Sequence, residues 1–110
     1  MNEEIKQYLD KYPTEVVTLF YDLREIIYDC TKEKIEEKMW AKLPSYYVGE
    51  KWIRLIVFKD HVNIEALTIK NHLDELRGYK VTPKGMLQIR LSEAIPKEVL
   101  NDIFRETLEN

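Results

Sequence analysis

Seven carboxylates stand toward the start of the chain: Glu15, Asp22, Glu25 and Asp29, at intervals of seven, three and four, then Glu33, Glu36 and Glu37. At about 3.6 residues per turn the first four share one side of a helix, and the last three continue toward the element that follows. Like charges three or four apart destabilise a helix by about 0.2–0.5 kcal/mol per pair, so local helix stability does not favour this ridge. Two readings stand. One is a solvated helix face; the other is a shallow, weak site for a divalent cation, because carboxylate oxygens from successive turns can share one hydrated ion.

A second set lies in the middle of the chain, where Trp40, Trp52, Ile56 and Phe58 interleave with Lys38, Lys42, Arg54 and Arg90. A monomer seldom exposes that much aromatic surface without using it. Tryptophan and arginine together are the chemistry of protein-docking hot spots. Rings interleaved with cations also suit a ligand or single-stranded nucleic acid, although no ribonucleoprotein-type motif is present. A loop, helix or second subunit covering the face is the third reading. His61 follows the turn-prone Asp60, where a lone histidine is read as structural or as a ligand contact. His72 has no neighbouring ligand in sequence, and Tyr46, Tyr47 and Tyr79 are expected at the rim of the sheet.

The elements that must position these residues follow from the spacing of apolar side chains. Asn2–Asp10 reads as a short helix, and Pro13 suits the first turn of a longer one whose apolar face is Val16, Val17, Leu19, Phe20, Leu23, Ile26, Ile27 and Cys30. From Glu36 the period changes to two, and Met39, Ala41 and Leu43 alternate with Lys38, Trp40 and Lys42 until Pro44 ends the run. Val48–Lys51 turns the chain into a strand over 52–59, and Asp60 turns it into another over 61–67. Thr68–Leu76 reads as a short helix ended by Gly78, Met86–Leu91 as a strand, and the residues after Pro96 as a helix with a stripe of Val99, Leu100, Ile103, Phe104 and Leu108.

This order predicts an α+β fold, a two-layer sandwich in which N- and C-terminal helices pack on one face of an antiparallel sheet and leave the other face open. Alternation then sends Met39, Ala41, Leu43, Ile53, Leu55, Val57, Val62, Ile64, Leu87, Ile89 and Leu91 inward. Lys38, Trp40, Lys42, Trp52, Arg54, Ile56, Phe58, Asn63, Glu65, Gln88 and Arg90 point outward.

With Trp40, Pro44, Phe58-Lys59-Asp60-His61-Val62 and Tyr79…Gly85-Met86-Leu87-Gln88-Ile89 in this order, the chain resembles the YdhG-like family, which includes frataxin-like intracellular iron chaperones. The likeness runs from Leu23-Arg24-Glu25-Ile26-Ile27 through Glu37-Lys38-Met39-Trp40 and the Lys59-x-His61 strand to the last helix. The family's proline usually stands three residues after the tryptophan, whereas Pro44 stands four after Trp40. The resemblance implies a frataxin-type sandwich, weakly held Fe²⁺ with no tightly bound cofactor, and a partner in iron–sulfur cluster assembly or another iron-using protein. On that reading Glu15, Asp22, Glu25, Asp29, Glu33, Glu36 and Glu37 supply the metal site. Trp40, Lys42, Trp52, Arg54, Phe58, His61 and Arg90 form the docking face. The alternative is a metal-independent protein- or small-ligand-binding module that uses the same aromatic and basic face.

Composition narrows the remaining classes. The chain of 110 residues carries net charge −3 and is 45% hydrophobic, the make-up of one domain. Charge is unevenly spread: residues 1–40 net −4, residues 41–92 net +4 and residues 93–110 net −3. The acidic balance makes nucleic acid an unfavoured partner, and any partner argument is made face by face. No stretch approaches the ~18 apolar residues of a membrane span, and Met1-Asn2-Glu3-Glu4 lacks a signal-peptide start, so a cytoplasmic location is expected. The single cysteine, Cys30, excludes an intrachain disulfide and reads as a buried thiol. No glycine-rich phosphate loop, His-Glu-x-x-His segment or serine elbow is present, and no enzymatic activity is expected.

Overall fold

Asn2 caps the first helix by accepting the Glu4 N–H at 2.8 Å, and α1 spans Glu3–Leu9 in the computed structural model, which describes residues 2–109. Pro13 stands just outside α2 (Thr14–Asp29), extended at φ −61°, ψ 151°, and its carbonyl accepts the Val17 N–H at 3.1 Å. Six strands follow: β1 (Glu36–Trp40), β2 (Leu43–Val48), β3 (Lys51–Val57), β4 (His61–Ala66), β5 (Lys80–Val81) and β6 (Leu87–Arg90). A 3₁₀ turn, Leu67–Asn71, follows β4, and α3 (Lys97–Glu109) closes the order. The strands form one antiparallel sheet ordered β1-β2-β3-β4-β6-β5.

Val16, Phe20, Leu23 and Ile27 of α2 and Leu100, Ile103 and Phe104 of α3 are fully buried with Ile53, Leu55, Val62, Ile64, Leu87 and Ile89 of the sheet. This is the expected two-layer α+β sandwich. Tyr8 of α1 ties the helical layer to the sheet, its hydroxyl accepting the Val57 N–H at 3.0 Å. Cys30 is buried, and burial pushes its thiol up to about 11, so it is not a ready nucleophile. Among the described residues, no helix is long and apolar enough to cross a membrane.

Four local expectations are corrected. The strand expected to run from Glu36 until Pro44 ends at Trp40. Ala41 and Lys42, with φ of 50° and 66°, form a two-residue hairpin turn, and Pro44 lies inside β2, paired with Met39. Positive φ at both central positions is the type I′ pattern, whose usual residues are Asn-Gly, so Ala-Lys conceals it. Tyr46 is not at the rim: it lies on β2 facing the helices and is wholly buried. Leu91 falls beyond β6 and is 44% exposed, outside the core. Residues 68–76 form no continuous helix; the 3₁₀ turn gives way to hydrogen-bonded turns that lead to Gly78 and the two-residue β5.

Candidate functional site

Alternation along β1 divides the expected acidic set. Glu15, Asp22, Glu25 and Asp29 are exposed along α2 and Glu33 is exposed in the loop after it, as the ridge requires. Glu36 and Glu37, adjacent on a strand, point to opposite faces. Glu36 lies on the open sheet face, 3.7 Å from Lys38 Nζ. Glu37 turns under the helices, its side chain 7% exposed, and accepts from Arg24 of α2 at 2.6 Å through Nε and 3.2 Å through Nη2. Burial opposes ionisation of Glu37, but the Arg24 guanidinium outweighs it, and the carboxyl sits below the usual range. Buried Tyr46 is pushed far up, by burial first and by the adjacent Glu37 charge second. Glu37 is therefore a structural anion and not part of a surface ridge. Among the described residues, no three His, Cys, Asp or Glu side chains come together to hold one metal ion.

The outward residues of the sheet gather into two clusters. On β1–β3, Arg54 is stacked between two indoles, its guanidinium carbon 3.9 Å from the Trp40 ring centre and 3.7 Å from that of Trp52. Arg54 also donates to Ser45 Oγ at 3.1 Å and to the Tyr47 hydroxyl at 3.3 Å, and lies 3.7 Å from Glu65. It is 5% exposed. Arg54 holds the two indoles flat, each such contact contributing about 0.5–2 kcal/mol. Trp40 stays 52% exposed as the outer plate of the stack. Lys42, in the turn beyond β1, is not on the sheet face at all.

The other cluster lies on β4, β6 and β5. His61 pairs with Arg90, and the next outward row runs Asn63, Gln88, Lys80. Phe58, 41% exposed, stacks on the His61 ring at 4.5 Å and 12°. Asp60 meets His61 Nδ1 at 2.8 Å, and this contact lowers the exposed carboxyl. Held so, the ring presents its Nε2 edge outward from the pair. Asp60, His61, Lys80, Gln88, Arg90 and Ser92 line an open cup of about 620 Å³. Among the described residues, neither Lys80 nor Arg90 has a carboxylate within ion-pair distance. Asn63 is 9% exposed, Gln88 is 7% exposed, and Asn63 Oδ1 is buried with no hydrogen-bond partner.

The structure places Phe58 and Arg90 beside His61, while Trp40, Trp52 and Arg54 form a separate stack on the same face. Lys80 and Gln88 are the members that sequence reasoning missed. Asn63 and Gln88 were legible as outward residues, but Lys80 depends on the two-residue β5, too short to carry a period. Compared with protein-family models, curated proteins and solved structures, the chain matches none. The likeness to the YdhG-like family stands on the quoted residues alone.

Proposed function

We propose that the chain is a metal-independent binding module that takes a small ligand bearing a carboxylate or phosphate group in the cup formed by β4, β6 and β5. The observation that carries this reading is the pairing of two cations on one cup: Arg90 and Lys80 both line it with His61 and Gln88, and among the described residues neither has a carboxylate at ion-pair distance. Arg90 and Lys80 meet the anionic group, Arg90 with a planar fork suited to two oxygens. His61, stacked on Phe58, lines one side. The cup volume lies within the usual range for small-molecule sites.

Iron delivery finds less support in the geometry. It retains the exposed carboxylates of α2, which form no three-ligand group, and loses Glu37 to Arg24.

Isothermal titration of inorganic phosphate and of small dicarboxylates into the protein tests the proposal. Saturable heat that falls at least tenfold in affinity in Arg90→Gln and Lys80→Gln is the expected result. No saturable binding by any of these anions, or binding unchanged in both variants, overturns it.

A further inference from the structure

We infer that a second site, at the far end of β4 from the cup, takes a planar aromatic anion. A cleft of about 410 Å³ opens where β3 begins and β4 ends, with Trp52, Ala66 and Leu67 among its apolar lining and Lys51, Lys70 and Lys84 around it. Small-molecule sites are typically of this size, mostly apolar, with a few convergent polar groups.

The three lysines come from three separate segments. Lys51 opens β3, Lys70 sits on the 3₁₀ turn, and Lys84 lies in the turn between β5 and β6. The last two segments are held in place by hydrogen bonds of their own. Thr68 Oγ1 donates to the Ile103 carbonyl at 2.8 Å, and the Thr68 N–H donates to Thr107 Oγ1 at 3.3 Å, fastening the 3₁₀ turn to α3. Gly85 N–H donates to the Thr82 carbonyl at 2.8 Å, and Met86 N–H donates to Thr82 Oγ1 at 3.1 Å, closing the turn that carries Lys84. Gly85 has a φ of 87°, a conformation that favours glycine.

Among the described residues, none of the three lysines has a carboxylate at ion-pair distance. Two carboxylates also line the cleft, Glu50 and Glu65, but Glu65 is taken by Arg54 at 3.7 Å. The lining thus holds an excess of positive charge that an anionic group offsets. Leu67 is 70% exposed, the most exposed large hydrophobic side chain among the described residues, and it stands beside Trp52 in the same lining. One side of the Trp52 ring is already held by Arg54, so the indole is a fixed wall. An aromatic body against Trp52 and Leu67, with its charge among the lysines, uses each of these features. The site shares no residue with the cup and stands or falls separately from it.

The test is titration of the ¹⁵N-labelled full chain with 1-naphthyl phosphate and 1-naphthoate, with neutral 1-naphthol as control. The expected result is saturable shifts of the Trp52 indole N–H and the Leu67, Lys70 and Gly85 amides, with 1-naphthol at least tenfold weaker. The tighter of the two anions identifies the head group. Lys70→Met and Lys84→Met, both at exposed positions, are each expected to weaken binding at least threefold, while Lys34→Met leaves it unchanged. Shifts that map elsewhere, equal affinity for 1-naphthol, or insensitivity to both cleft lysines overturns the inference.

Discussion

Replacing Arg24 by methionine strands a carboxylate under the helical layer. Glu37 is 7% exposed in its side chain and takes two hydrogen bonds from Arg24, at 2.6 and 3.2 Å; the Asn2 N–H is long at 3.5 Å, and the Tyr46 hydroxyl beside the carboxylate is the weaker remaining support. Removing one partner of a buried pair destabilises by about 3–5 kcal/mol, because the remaining charge is left unpaired. Arg24 is 25% exposed, so water reaches the gap and the lower end, ~3 kcal/mol, is expected. With a urea m-value of about 1.3 kcal/mol/M, that moves the unfolding midpoint by roughly 2 M. Arg24→Met with Glu37→Met removes both charges and is expected to recover most of the loss. The effect is also pH-dependent. The Glu37 carboxyl is held low in the folded protein, so the pair's contribution is complete above the unfolded value of about 4.3 and is lost as pH falls through the folded one. In Arg24→Met burial, the largest influence on the carboxyl, loses its main opponent and favours the neutral acid, so the gap between variant and wild type narrows on acidification. Urea denaturation at pH 7 and pH 4 measures both quantities. A loss under about 1 kcal/mol at pH 7, with no narrowing at pH 4, would refute the assignment of Glu37 as a buried structural anion.

Three further outcomes follow from particular contacts. Ala41→Asn with Lys42→Gly gives the β1–β2 turn the residues its positive φ values favour; thermal unfolding is expected to show stabilisation of about 1 kcal/mol with anion binding unchanged. His72, 12% exposed, meets Glu106 at 2.9 Å and Glu75 at 2.7 Å through its two ring nitrogens, and Glu106 first and Glu75 second raise its pKa. Its contribution is present below about pH 6.5 and lost as pH rises through the higher folded value, so the wild type is expected to lose stability across that window and His72→Gln to lack this component. In anaerobic equilibrium dialysis, wild type and Asp22→Asn/Glu25→Gln are expected to retain Fe²⁺ equally and to release it to Mg²⁺. A saturable Fe²⁺ site present only in the wild type would restore the acidic-ridge reading.

Long periodic segments were the legible part of the fold. The stripes of α2 and α3 and the alternation of Ile53–Val57, Val62–Ile64 and Leu87–Ile89 place the core where it is found, because each has one buried face to satisfy. Short or disguised elements were not legible. The Ala41-Lys42 turn lacks Asn-Gly, so the alternation runs straight through it and puts Tyr46, beyond Pro44, outside the core. The same alternation, applied strictly from Glu36, would have parted Glu36 from Glu37. At the candidate site, Phe58, His61 and Arg90 could be assigned to one face by alternation. Their convergence with Lys80 required the pairing of β6 with both β4 and β5, and sequence spacing carries no pairing information across that distance. Arg54 was correctly placed outward, but its enclosure by two indoles and three polar partners depends on neighbours from other strands.

The most direct test of the central claim is two-dimensional NMR of the ¹⁵N-labelled chain titrated with inorganic phosphate and with small dicarboxylates at constant ionic strength. Saturable shifts of the Asn63 and Gln88 side-chain amides and of the His61, Arg90 and Lys80 backbone amides, abolished in Arg90→Gln, are the outcome expected of an anion-binding cup. Shifts absent from these groups, or equally strong in Arg90→Gln, would contradict it.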